Sequence, residues 1–326
     1  MFSNHFHMKY QLDEKAKVYR RIFGGLFVLI MVATMSGCVS NQSYPSDLVM
    51  EGYELALLLN KNSAEQLVIL DVRSEASYDK GHITGAVRVD SSEWKEQSLA
   101  AETGLDHETL WKNRIGALGI SGRAPILVYD DGSMTTATRI WFIFQHFGVP
   151  NTSVLNGGYP ILKPLIKKGR IAVSQEETEP KPAKFEHTAN TTARVELVER
   201  QRVRKAIEHG EAQVFDTRTH EEYTGENLRN NTRGGHLPTA INLPHNELLD
   251  KNGRLKSPDA LAAILKKAGF RRGLPIITHC EGGGRASLAA LAAEIAGYGP
   301  VMNYYLSFGD WAADVSCPIV KPADEK

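Results

Sequence analysis

The chain carries the same landmarks twice in the same order, and this repetition limits its fold more than any single motif does. "VILDVRSEASYDKGHITGAVRVD" begins at Val68, and "QVFDTRTHEEYTGENLRNNTRGGHLPTAINLP" begins at Gln213. Asp71-Val72-Arg73 answers to Asp216-Thr217-Arg218, and Gly81-His82 with Ala86 answers to Gly235-His236 with Ala240. Further on, "ALGISGRAPILVYDDG" from Ala117 matches "KAGFRRGLPIITHCEG" from Lys267. The landmarks recur about 150 residues apart, which means a duplicated domain and not a solenoid repeat. An insertion around "TGENLRNNTR" and a later deletion account for the drift in register.

Each copy reads as α/β. "QLVIL", "PILVYD", "AQVFD" and "PIITH" are short apolar runs, too short for buried helices and suited to buried parallel strands. Helical patterns lie between them, from Thr135, from Ser257 and from Ala286. Ser257-Pro258-Asp259 is a helix start, a cap residue followed by proline in the first turn. Gly148, Gly269 and Gly297 stand where helices would stop. Strands alternating with helices predict two domains, each a parallel sheet with helices on both faces. The expected boundaries are 46–168 for the first domain, 169–190 for a polar, proline-bearing linker on the surface, and 191–322 for the second.

A length of 326 residues is ample for two such cores. Acidic and basic residues are equal in number, which argues against a nucleic-acid partner. Three cysteines, at 38, 280 and 317, make neither a disulfide framework nor the clustered spacing of a zinc site, so no metal or other cofactor is expected. Upstream of Cys38, Arg20-Arg21 precedes an apolar run of about 14 residues, shorter than a membrane-spanning helix needs. Residues 1–37 therefore read as an export signal, and "MSGC" resembles a bacterial lipoprotein signal with Cys38 as the lipidated residue. The expected location is periplasmic or membrane-anchored, with membrane contact only through that lipid.

The chemistry is expected at "ITHCEGGGRASLAALAAEIAGYG". A strand ends at His279, glycines follow, and a helix begins near Arg285 or Ala286. Loop N–H groups and a helix amino terminus converge there, an arrangement that stabilises anions and lowers the cost of a thiolate on Cys280. Gly282, Gly283 and Gly284 let the backbone curl around the sulfur. A nucleotide phosphate loop would need a lysine that is absent. A cysteine phosphatase would need five residues between cysteine and arginine, and four separate Cys280 from Arg285. Transfer of a single sulfur atom through a persulfide fits the shorter loop.

These features together resemble the tandem-domain rhodanese family of thiosulfate and 3-mercaptopyruvate sulfurtransferases. The likeness rests on the two Asp-x-Arg segments, "SVLNGGY", Cys280 through Arg285, and "YYLSFGDWAAD", where Phe308 replaces a family tryptophan and Trp311 keeps another. It implies a persulfide on Cys280, a small anionic sulfur donor, a cyanide, thiol or protein-thiol acceptor, and an inactive first domain, where Asp130 stands in place of the cysteine. Arg285 is the expected cation for the donor. Arg218 matches a family arginine facing the substrate, or forms a structural ion pair with Asp216. Asp216, His236 and His82 are expected to be structural, and Cys317 an inert half-buried thiol. A persulfide-relay protein with little small-molecule turnover and a non-catalytic anion binder remain as alternatives. Glu281 sits awkwardly beside an anion site, since a like charge at ~5 Å costs roughly 3 kcal/mol at an effective dielectric of 20.

Overall fold

The computed structural model describes residues 44–45, 47–60, 67–122, 124–149, 151–186 and 193–321, so the expected signal and Cys38 lie outside the described residues. The first copy contains β1 (Val49–Met50), α1 (Gly52–Asn60), β2 (Val68–Asp71), α2 (Glu75–Asp79), β3 (His82–Ile83), β4 (Val87–Arg88), α3 (Ser91–Leu99), α4 (Glu108–Ala117), β5 (Ile126–Tyr129), α5 (Thr135–His146), β6 (Thr152–Leu155) and α6 (Lys163–Lys167). After β7 (Val173–Ser174) come β8 (Val195–Leu197), α7 (Arg200–His209), β9 (Gln213–Asp216), α8 (His220–Thr224), β10 (Ile241–Asn242), α9 (Pro258–Ala268), β11 (Ile276–His279), α10 (Gly284–Ile295), β12 (Val301–Asn303) and α11 (Ser307–Ala313).

The strand orders are β1-β6-β5-β2-β4 and β8-β12-β11-β9-β10. All neighbours within these two sheets are parallel. The two orders coincide when each strand is replaced by its sequence counterpart, so the duplication extends to topology. Register coincides as well, with Asp71 opposite Tyr129 and Asp216 opposite His279.

Each strand alternates its side chains between two faces. Ile126 and Val128 point toward α3, α4 and α5, whereas Leu127 joins Ile69, Leu155 and Leu55 of α1 on the opposite face. In the second copy Phe215 and Ile276 face α9 and α10, while Val214 and Ile277 face α7 and α11. Both predicted faces are thus covered by helices in each copy. The inner faces merge, because Trp141 and Phe142 of α5 and Leu288 through Ala293 of α10 belong to one apolar cluster. Both helices are buried on nearly every side, which explains why neither has a polar face. The alanines of α10 keep its girth small where α5 presses against it.

Local signals behave as the sequence suggests. Ser257 caps α9 by accepting from the Ala260 N–H, Pro258 opens the helix, and Gly269 ends it with φ +106°. The stretch expected as a plain linker is partly anchored. Its β7 pairs antiparallel with β3, and Ile171 and Phe185 are buried.

A core shared by two copies makes one cooperative unit. Phe142→Ala removes a buried ring stacked on Tyr305 of the other copy, 5.5 Å away at 17°. Such a truncation costs ~3–5 kcal/mol. The variant should unfold in urea in a single transition at lower midpoint, with the buried Cys317 becoming alkylatable in that same transition. Two separate transitions would contradict the shared core.

Candidate active site

Two copies of one staple support the loops at the carboxyl ends of the strands. In the first, Arg73 donates through Nε and Nη2 to the Asp71 carboxylate and through Nη2 to Gly81 O at 2.9 Å. In the second, Arg218 donates likewise to Asp216 and to Gly235 O at 2.8 Å. Tyr78 stacks on His82 at 3.6 Å, and Tyr223 stacks on His236 at 3.7 Å. Arg73 lies over the Tyr159 ring and Arg218 over Phe308. Burial would raise the Asp216 pKa, but His279 and Arg218 outweigh it and hold the carboxylate below its usual range.

Arg218 makes the ion pair that one of its two readings expected. It is 1% exposed, donates through Nε and Nη2 to Asp216 and through Nη2 to Gly235 O, and does not line the cleft.

Beyond β11 the copies diverge. Asp130 accepts from the N–H groups of Gly132 and Ala137, and burial pushes its pKa up. Cys280 occupies the equivalent position, 2% exposed, and its Sγ lies 3.8 Å from the Ser307 hydroxyl. Ser307 Oγ also accepts from the Cys280 N–H at 3.0 Å, and the residue holds φ +63°. That left-handed backbone is uncommon for a non-glycine residue and brings the hydroxyl beside the sulfur, with Tyr304 O its nearer acceptor at 2.9 Å. The loop after Cys280 is one residue shorter than its counterpart, with the left-handed residue at Gly283 where the first copy has Met134. Helix α10 consequently begins at Gly284, ahead of the expected start, and brings its amino terminus closer to the sulfur.

The three glycines do different work. Gly282 and Gly284 line the cleft. Gly283 is outside that lining, and a Cβ there would sit 2.5 Å from the Tyr305 ring, so the glycine permits packing. At Gly284 a Cβ would come within 2.9 Å of Arg139 Nη2, which marks how closely the first copy approaches.

The cleft over Cys280 has a volume of about 490 Å³, and the first copy builds one wall with Ser91, Lys95, Leu99, Thr136 and Arg139. Arg139 donates to Gly282 O at 2.7 Å and to the Tyr305 hydroxyl at 2.6 Å. Arg229, on the inserted loop of the second copy, completes the rim. Four cations therefore face the cleft, against Glu281 within it.

Arg285 lines the cleft as expected, but it is not a free cation. Its Nη1 and Nη2 donate to Glu222 Oε2 and Oε1 at 2.6 and 2.9 Å. Burial lowers the Arg285 pKa, and the Glu222 carboxylate overrides this and raises it. Glu281 is held through Oε1 by Asn231 Nδ2 at 2.8 Å, while its Oε2 is buried without a hydrogen-bond partner. Burial pushes the Glu281 carboxyl pKa up, Asn231 opposing. A carboxyl that gives up its charge more readily is less hostile to an anion beside it, which eases the conflict read from the sequence. Cys317 lies away from the cleft and is 1% exposed, more deeply buried than expected.

Glu222, Arg139, Arg229, Asn231 and Ser307 were not singled out from sequence. The insertion in the second copy was a signal for Arg229 and Asn231, and the serine of "YYLSFGDWAAD" was a signal for Ser307. Arg139 had none, because its partner lies 143 residues away in the chain. Among the described residues no group of His, Cys, Asp and Glu is placed to hold a metal ion.

Glu222 gives this site a pH signature. Burial would raise its pKa, but Arg285 and the Thr219 N–H bring it to about 2. A depressed carboxylate stabilises the fold fully above its unfolded value near ~4.3 and loses that contribution as pH falls through the folded value. Wild type should lose stability between about pH 4.5 and 2 more steeply than Glu222→Gln, measured by urea unfolding at each pH. Equal slopes would contradict the pairing.

The sequence matches the family model "Rhodanese-like domain" over residues 54–161 and again over 199–314. Thiosulfate sulfurtransferase of Mus musculus is 30% identical over 244 residues, covering 73% of this chain and 80% of that protein. 3-Mercaptopyruvate sulfurtransferase of Escherichia coli K12 is 28% identical over 247 residues, covering 74% and 84%. Among solved structures, the anaerobic ergothioneine biosynthesis enzyme from Chlorobium limicola, in complex with trimethyl histidine, superposes with a TM-score of 0.70 at 18% identity, over 82% of this chain and 69% of that one. That last likeness concerns the fold alone. With two matched domains, two superimposable sheets and one surviving cysteine, the chain belongs to the rhodanese-like family as a tandem-domain member akin to the sulfurtransferases.

Proposed function

We propose that the protein moves a sulfane sulfur from a small anionic donor to a thiophilic acceptor through a persulfide on Cys280. The observation that carries this reading is the position of Cys280. Its sulfur lies at the base of a cation-rimmed cleft, beside the amino terminus of α10 and the Ser307 hydroxyl. The Cys280 thiolate attacks the outer sulfur of thiosulfate; the S–S bond of the donor breaks, and sulfite leaves with the bonding pair. Cyanide or a thiolate then attacks the outer persulfide sulfur, and Cys280 regains its charge. No proton or electron is left over in either half. The cradle serves both steps by stabilising negative charge on sulfur. 3-Mercaptopyruvate is the alternative donor, supported by the similarity to the Escherichia coli enzyme. With either donor, Arg229 is the exposed cation on the second copy's side and Lys95 its counterpart on the first.

Incubating the protein with thiosulfate should add about 32 Da on Cys280, reversed by cyanide and absent in Cys280→Ser. No gain with thiosulfate, 3-mercaptopyruvate or a persulfide donor would overturn the proposal. Glu281→Gln should lower KM for thiosulfate by roughly three- to tenfold at pH 8, where the carboxylate opposes the dianion most. An unchanged KM would place that charge outside the donor's field. The export reading of residues 1–37 enters as a further proposal, with Cys38 the attachment point. Labelled fatty acid incorporated into the full chain and lost in Cys38→Ala is the expected result, and no incorporation would overturn it.

A further inference from the structure

Glu222 has no place in the sulfur-transfer steps, yet its carboxylate is the most heavily engaged group near the cleft. It is 1% exposed and belongs to α8, whose first turn it closes by accepting from the Thr219 N–H at 3.0 Å. Thr219 Oγ1 accepts in return from the Glu222 N–H, which completes a capping box. The same carboxylate receives both terminal nitrogens of Arg285, and its Oε1 lies 3.5 Å from Arg229 Nε. One buried side chain thus ties together a helix end, the arginine of the cysteine loop and the arginine of the insertion.

The chain supplies its own control. Ser74 stands at the N-cap position of α2, without a side-chain cap bond, where Thr219 caps α8, which sets Ser77 opposite Glu222. Met134 precedes α5 where Gly283 precedes α10, which sets Thr136 opposite Arg285. The copy that lost its sulfur has no such pair, and Ser77 Oγ merely meets Ser74 Oγ at 3.0 Å. A fold requirement would be expected in both copies, as the Asp-x-Arg staple is. The pair goes with the cysteine.

Resting on the sulfurtransferase reading, we propose that Glu222 is a positioning residue that fixes Arg285, and through it the orientation of the anionic donor at Cys280. Two nitrogens of the guanidinium are committed to the carboxylate, so the plane of the group is set and its remaining N–H donors are presented in one orientation. The arrangement trades charge for geometry. Glu222 cancels most of the positive potential of Arg285 and in return removes its rotamer freedom, which a donor would otherwise have to restrict on binding.

That trade gives opposite signs to the two possible effects of Glu222→Gln. Charge alone predicts a more cationic cleft and tighter anion binding. Positioning predicts the reverse. The substitution is suited to the question because a capping box accepts glutamine as well as glutamate at this position, so the helix end is retained. Expected for Glu222→Gln is a KM for thiosulfate about tenfold higher with kcat within ~3-fold, the size of one lost charge-assisted contact. Arg285→Lys should show the same direction, and Glu222→Gln should add nothing further in an Arg285→Ala background. A second readout needs no turnover: the ratio of Cys280 alkylation rates with iodoacetate and iodoacetamide, which should fall severalfold in Glu222→Gln. The proposal is overturned if Glu222→Gln lowers KM or leaves it and the alkylation ratio unchanged, or if its effect persists in full without Arg285. If the wild type loads no sulfur on Cys280, the sulfurtransferase reading fails, while the alkylation ratio still judges the role of Glu222.

Discussion

Arg139, from the copy without a cysteine, holds the loop of the copy that has one. Its guanidinium donates to Gly282 O and to the Tyr305 hydroxyl, which also meets Ser98 of the first copy at 2.7 Å. Behind it, the apolar side chains of α5 and α10 pack into one continuous core. The cysteine loop is therefore shaped from both sides: by its own strand and helix, and by a charged contact across the domain boundary. A single rhodanese-like domain of this sequence would lack one wall of its cleft and the anchor of its cradle. This is a physical reason for a chain to retain a copy that has no sulfur.

Duplication also separates what the fold needs from what the chemistry needs. Asp71 with Arg73 and Asp216 with Arg218 make matching contacts, as do the paired Tyr–His stacks. Such buried pairs are costly to break singly, because a lone buried charge remains. They persist in both copies whether or not catalysis occurs. By contrast, the shorter loop, the left-handed Ser307, Arg229 with Asn231, and the Glu222–Arg285 pair belong to the second copy. The charged groups around Cys280 are held by partners at fixed distances, which is preorganisation of the kind that stabilises sulfur anions without reorganisation during reaction.

Much of this was legible in the sequence, and for identifiable reasons. Strand and helix positions follow from short apolar runs bounded by glycine and proline, and the caps at Ser257 and Gly269 are local signals. The repeat fixed topology, since a duplicated chain folds twice the same way. Cys280 stood out because a thiol preceding a glycine run has few structural uses. What sequence could not reveal were contacts between distant segments. Arg139 reads as an ordinary helix residue until α5 meets α10. Glu222 stands three residues after Thr219, the spacing of a capping box, and its pairing with Arg285 appears only when α8 and the cysteine loop are brought together. Arg218 reads from sequence either as a cleft arginine or as an ion pair, and only the fold shows its Nε and Nη2 on Asp216.

The central claim is that Cys280 holds one sulfur between two half-reactions. Sulfite released from thiosulfate in the absence of any acceptor measures this directly. A burst of one sulfite per chain that then stops is expected, and none from Cys280→Ser. Continuous release without acceptor, or a burst that survives loss of the thiol, would contradict it.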